Sequence, residues 1–134
     1  MKIAGTLPPY AELLGAEIFE DRNGMPGLVM PFGPDILGRP GFVQGGALSG
    51  LMEMAAIIAL RHALAAADAR VKPINVTVDF MRGARDKPTY AAGKVTRLGS
   101  RIANVEAAAW QDDRDKPVAA ARMNYRIVRP DSED

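Results

Sequence analysis

The 134-residue chain has no cysteine and a single histidine, His62. The first absence excludes disulfides, thiolate nucleophiles and sulfur-ligated metals. The second excludes a zinc site of several histidines within one chain and leaves His62 as the sole candidate for a Ser-His-Asp relay. No metal and no cofactor are expected. An excess of one charge is missing too: 17 Lys and Arg face 16 Asp and Glu, for a net +1. No global field therefore argues for a nucleic acid or membrane partner. Long hydrophobic runs are also lacking. The longest apolar-rich stretch, Ala47 to Leu60, is broken by Ser49, Gly50 and Glu53, and its 14 residues fall short of a bilayer span. The opening Met1-Lys2-Ile3-Ala4-Gly5-Thr6 has no secretory apolar segment, so a cytoplasmic location is expected. What is present, 48% apolar and 25% charged residues, suits one globular domain over 1–134. Residues 1–14 form an N-terminal segment, and 129–134 read as a disordered tail.

Hydrophobic periodicity orders the rest. Pro8-Pro9 can open a short helix through Leu14. Ala16 to Asp21 and Leu28 to Phe32 read as strands, with Asn23-Gly24 as the turn between them. Gly33 to Gly46 holds five glycines and two prolines in fourteen residues, which reads as a long loop, either functional or covered by a partner. Gly46 to Ala67 is a helix without proline, rich in Leu, Met and Ala. Leu48, Leu51, Met52, Met54, Ala55, Ile57 and Ile58 make it apolar all round at first, so it is a buried core element.

After Arg70 the period becomes two. Ile74, Val76, Val78 and Phe80 alternate with Asn75, Thr77, Asp79 and Met81. Tyr90 to Leu98 and Ile102 to Trp110 follow, joined at Gly99-Ser100, and Val118 to Val128 closes the series after Asp112-Asp113-Arg114-Asp115. Alanine at 107–109 and 119–121 favours helix in isolation, yet small side chains also let a helix lie close on a sheet. Two strands, one long helix and four strands joined by short turns make an α+β domain whose last four strands read as a meander.

That order, an antiparallel sheet wrapped around one central helix, resembles the hotdog fold. Gly41-Phe42-Val43-Gln44-Gly45-Gly46-Ala47-Leu48-Ser49-Gly50-Leu51-Met52-Glu53 is similar to the motif of acyl-CoA thioesterases of the phenylacetate-degradation (PaaI) type. There a glycine, two residues and His-Gly-Gly precede an apolar helix with an acid nine residues past the histidine. Val78-Asp79-Phe80-Met81-Arg82-Gly83-Ala84-Arg85 looks like that family's "tyLRPAR" stretch, and Gly99-Ser100-Arg101 sits at a family turn. The resemblance covers roughly residues 15 to 128. It implies an acyl-CoA substrate of small or medium, including aromatic, acyl group, and a homodimer or dimer of dimers. The chain departs at Gln44 for the histidine, at Gly38 for a loop asparagine, at Ile57 for a hydroxyl, and at Pro73 and Asn75 for a serine.

Thioester hydrolysis needs a donor for the developing oxyanion and a base or nucleophile. Gly45 and Gly46 at a helix start offer backbone N–H groups with no intrahelical partner, and Gln44 can add its side-chain amide. Glu53 is the sole charge between Gly41 and Leu60 and is the candidate base or nucleophile. Ser49 and Gly50, one turn earlier, make that face small enough to leave space for a ligand, and Gly46, Ser49 and Ile57, the last at the family's hydroxyl position, are the expected substrate-binding residues. Arg82, Arg85 and Arg101 suit the phosphates of CoA. Bland readings stand beside these. A double glycine can be a mere loop-to-helix joint, Glu53 can pair with Arg122 or Arg126, and the three arginines can form a solvated surface. His62 reads as a surface or capping residue.

Gly45 and Glu53 are eight residues apart, about 12 Å along a helix, so one thioester carbon cannot reach both within one chain. A two-fold pairing that joins Gly45 of one chain to Glu53 of its mate resolves this. The alternative to an enzyme is a hotdog protein that binds acyl-CoA or another apolar ligand without turnover. A hydratase or dehydratase ranks last, because His62 lies far from the motif.

Overall fold

The computed structural model describes residues 7–21, 23–64 and 69–130. A first helix α1, Pro9–Leu14, precedes strands β1, Glu17–Glu20, and β2, Pro26–Met30. The central helix α2 spans Gly45–Leu64, and β3, Arg70–Phe80, β4, Thr89–Leu98, β5, Ile102–Trp110, and β6, Ala119–Val128, follow. All pairings are antiparallel, in the order β1-β2-β4-β5-β6-β3. This is the hotdog layout. Residues 1–6, the expected end of the central helix at 65–67, and 131–134 of the expected tail lie outside the described residues.

Three expectations change. The last four strands are not a single meander. β4, β5 and β6 form one, but β3 leaves its sequence neighbour and pairs with β6, from Arg70 opposite Val128 to Phe80 opposite Ala119. The cause lies in β4, whose two neighbours are already β2 and β5, so the strand after the helix finds its free partner at the far edge. The segment 33–46, expected as loop throughout, contains a 3-10 turn at Pro34–Ile36 and a bridge between Leu37 and Val43 that fold it on itself. Finally, the central helix has 20 residues and a mean hydropathy of 1.4 over its most apolar window, so by length and composition it could cross a bilayer. Most of that window is buried inside the molecule, as in the core helix of a globular protein.

The alanine clusters are strands, and the reason is contact with the helix. Ala91, Ala107, Ala109, Ala119 and Ala121 are buried on the face that carries α2. Gly93 marks the closest approach. A Cβ added there would lie 2.8 Å from the Cα of Ala56 and 3.0 Å from the carbonyl oxygen of Ala55. Helix and β4 thus touch backbone to backbone, which only glycine opposite alanine permits. Tyr125 of β6 fixes the helix on the neighbouring side: its hydroxyl donates to the Glu53 carbonyl oxygen at 3.3 Å. Burial first, and the charge of Glu53 second, push the Tyr125 phenol well above its ordinary pKa, so it stays a donor.

The helix lies chiefly over β4, β5 and β2 and barely meets β3. β3 is therefore an edge strand with an uncovered face, on which Val76 and Phe80 are 40% and 57% exposed. Gly93→Val should lower unfolding free energy by about 1–3 kcal/mol, because the overpacked atoms are backbone and cannot rotate away. A urea titration at constant slope checks this; an unchanged midpoint would mean the helix does not rest on β4 as described.

Candidate active site

From Ala47 to Leu60 every residue of α2 is buried except Ser49, Gly50, Glu53 and Ile57. With Gly46, which is exposed, these four make one stripe at helical spacing. The sheet covers the rest of the helix. The sequence places Ser49 and Gly50 beside Glu53 on one face, and the fold extends that open line to Gly46 and Ile57.

Glu53 is half-buried there, and among the described residues its carboxylate has no hydrogen-bond or ion-pair partner. The pairing with Arg122 or Arg126 does not occur. Both arginines alternate with the buried Ala121, Met123, Tyr125 and Ile127, so they project from the face of the sheet away from the helix. The open face beside Glu53 is narrower than expected at Gly50. The ring of Tyr10 from α1 fills that notch, close enough that a Cβ on Gly50 would sit 2.4 Å from it. Gly50 makes room for an aromatic wall, not for empty space.

The helix start is built by the folded loop before it. The Gln44 carbonyl accepts from Ala47 at 3.1 Å and Leu48 at 3.2 Å, so Gln44 is the residue from which the helix departs. The Gly45 and Gly46 N–H groups come next and have no acceptor among the described residues. The N–H of Gln44 itself donates to Ile36 at 2.7 Å. Gly38, where the resembling family has asparagine, backs directly onto Gln44: an added Cβ would stand 3.1 Å from the Gln44 Cα. Any side chain there would press on the turn that aims Gly45.

Gln44 and Gly45 open onto a cleft of about 430 Å³, whose walls include Arg39, Phe42, Phe80 and Arg82. Phe80 was not singled out in the sequence, yet its ring lies 3.3 Å from where a Gly45 Cβ would be. The signal was present, as an aromatic ending the strand just before the Arg82-Gly83-Ala84-Arg85 segment. Arg85 is exposed at the same end of the sheet, with its backbone held by Gln111. Arg101 is not brought near them. It precedes β5, whose far end, at Ala109, pairs with Ala119 beside Phe80, so Arg101 lies at the opposite end of the sheet from Gly45 within one chain. His62 is exposed in the last turn of α2.

The family model for the thioesterase superfamily matches residues 40–118, more than half of the chain. No curated protein gave a significant match. Among solved structures, a Chromobacterium violaceum protein is 35% identical, with a TM-score of 0.72 over 92% of this chain and 85% of that one. A phenylacetic acid degradation-related protein of Ralstonia eutropha is 23% identical, with a TM-score of 0.76 over 91% and 92%. A Bacillus halodurans protein crystallised with CoA is 17% identical, with a TM-score of 0.80 over 91% and 80%.

With no partner to lose, Glu53→Gln should leave unfolding free energy within about 0.5 kcal/mol of wild type. Thermal and urea unfolding of both proteins test this. A loss of several kcal/mol would mean the carboxylate is half of a buried ion pair.

Proposed function

The chain belongs to the thioesterase superfamily, and from that premise we propose that it hydrolyses acyl-CoA thioesters of small or medium, including aromatic, acyl groups. The observation that carries the reading is the unpartnered Glu53 on the one uncovered stripe of an otherwise buried helix. A half-buried carboxylate without hydrogen bond or counter-ion does nothing for the fold, and it is poised to take a proton or attack a carbonyl.

The Gly45 N–H, with the Gln44 amide beside it, polarises the thioester oxygen. Glu53 takes a proton from water, whose oxygen adds to the carbonyl carbon; collapse of that adduct expels the CoA thiolate. Direct attack by Glu53, followed by hydrolysis of the anhydride, uses the same groups. The CoA in the Bacillus halodurans relative supports the substrate class.

Gly45 and Glu53 meet at one carbonyl only across two chains. The long β3 supports a second copy as the partner. Its outer edge has no strand beside it among the described residues, and its helix-side face exposes Val76 and Phe80. Two β3 edges paired about a two-fold axis would join the sheets and set each α2 over the other chain's uncovered face. The same axis would carry the partner's Arg101 towards the Gly45 end. A cytoplasmic location fits this substrate and belongs to the same proposal.

Glu53→Gln should reduce kcat for thiol release from a panel of acyl-CoAs by at least about 100-fold. Wild type inactive on the whole panel would leave only the binding-protein alternative. Mixing inactive Glu53→Gln with inactive Gly45→Pro chains under subunit exchange should restore activity, since one wild-type site forms in each mixed dimer. Continued inactivity of mixed dimers would place both groups on one chain. Val76→Lys should convert the dimer to monomers in sedimentation; a dimer that persists rules out the β3 edge.

A further inference from the structure

Three arginines at the Gly45 end of the sheet, Arg39, Arg82 and Arg85, have no carboxylate within ion-pair distance among the described residues. Two of them converge. The Arg39 Cζ stands 4.0 Å from the centre of the Phe42 ring, and the Arg85 Cζ stands 4.4 Å from it. The two guanidiniums are thus within about 8 Å of each other, no more than a screening length in physiological salt, with no anion between them. Like charges held this way repel. Exposed arginines that served only solubility would swing apart into water.

The scaffold prevents that. Phe42 is seated on Gly83, where an added Cβ would stand 2.5 Å from its ring. Its neighbour Val43 donates its N–H to the Ala84 carbonyl at 2.9 Å, which latches the loop before the helix to the loop after β3. Gln111 then fixes Arg85. The Arg85 N–H donates to Gln111 Oε1 at 2.9 Å, and Gln111 Nε2 donates back to the Arg85 carbonyl at 3.0 Å. Each guanidinium gains a cation–π contact on a ring carried by this latched backbone. Their remaining N–H donors have no acceptor, and Arg39 and Phe42 line the cleft that also holds Gln44 and Gly45.

We infer that Arg39, Phe42 and Arg85 form a phosphate clamp that holds the nucleotide end of the CoA substrate at the mouth of the catalytic cleft. The inference rests on the acyl-CoA reading and adds Arg39 and Phe42 to it. Planar guanidiniums on one ring present forked donors to phosphoryl oxygens, which a lysine pair could not hold in register. Arg101 of the same chain, at the other end of the sheet, is no part of the clamp.

Calorimetric titration tests this without turnover, with CoA, pantetheine and inorganic phosphate as probes. Against wild type, the double variant Arg39→Ala with Arg85→Ala should bind CoA at least tenfold more weakly, and raising salt should weaken it less. Pantetheine, which has no phosphate, should bind both alike. Phe42→Leu, which keeps both charges but removes their platform, should lose part of the CoA affinity. Unchanged CoA affinity in the double variant overturns the clamp, as does an equal loss for pantetheine. Inorganic phosphate binding as tightly as CoA would make the site a general anion site and overturn its assignment to the substrate. Wild type that binds CoA through the clamp but releases no thiol would refute hydrolysis alone.

Discussion

Everything at the site follows from how closely one helix approaches one strand. At Gly93, β4 meets Ala55 and Ala56 of α2 with no side chain between them. Buried alanines on β5 and β6 keep the neighbouring strands free of bulky side chains on the same face. A helix so close to its sheet buries nearly its whole circumference and leaves one narrow line exposed. Charge on the helix is tolerable only on that line, and Glu53 stands there. The Tyr125 hydroxyl, donated to the Glu53 carbonyl, ties the same turn to β6.

The second dependence runs through coverage. One helix over β2, β4 and β5 cannot also shelter β3, so the apolar alternation of that strand faces outward. The uncovered stripe of α2 and the uncovered face of β3 lie on the same side of the sheet. They are two halves of one unfinished core. In the proposed dimer a second copy would complete this core and bring its Glu53 to the glycine amides.

Much of this was legible in the residues. The buried helix shows in unbroken apolar character, the strands in their period of two, and Glu53 in being the lone charge of its stretch. The site on the stripe was legible because helical spacing fixes which residues share a face. What the sequence hid was non-local. That β3 would pair with β6 depends on β4 having both sides occupied, which no window of residues records. Tyr10 on Gly50 and Phe80 on Gly45 join segments tens of residues apart, and glycine carries no sign of which ring will rest on it. The place of Arg101 was hidden for the same reason: a turn says where a chain reverses, not at which end of the sheet it does so.

The pairing of β3 with β6 also bears on the order of events during synthesis. β3 leaves the ribosome before β4, β5 and β6, and its single partner within the chain is the last of them. Until β6 arrives, the strand that offers the open edge is not yet part of a sheet. The pairing of two β3 edges proposed above would therefore have to follow the arrival of β6, which builds that edge into the sheet.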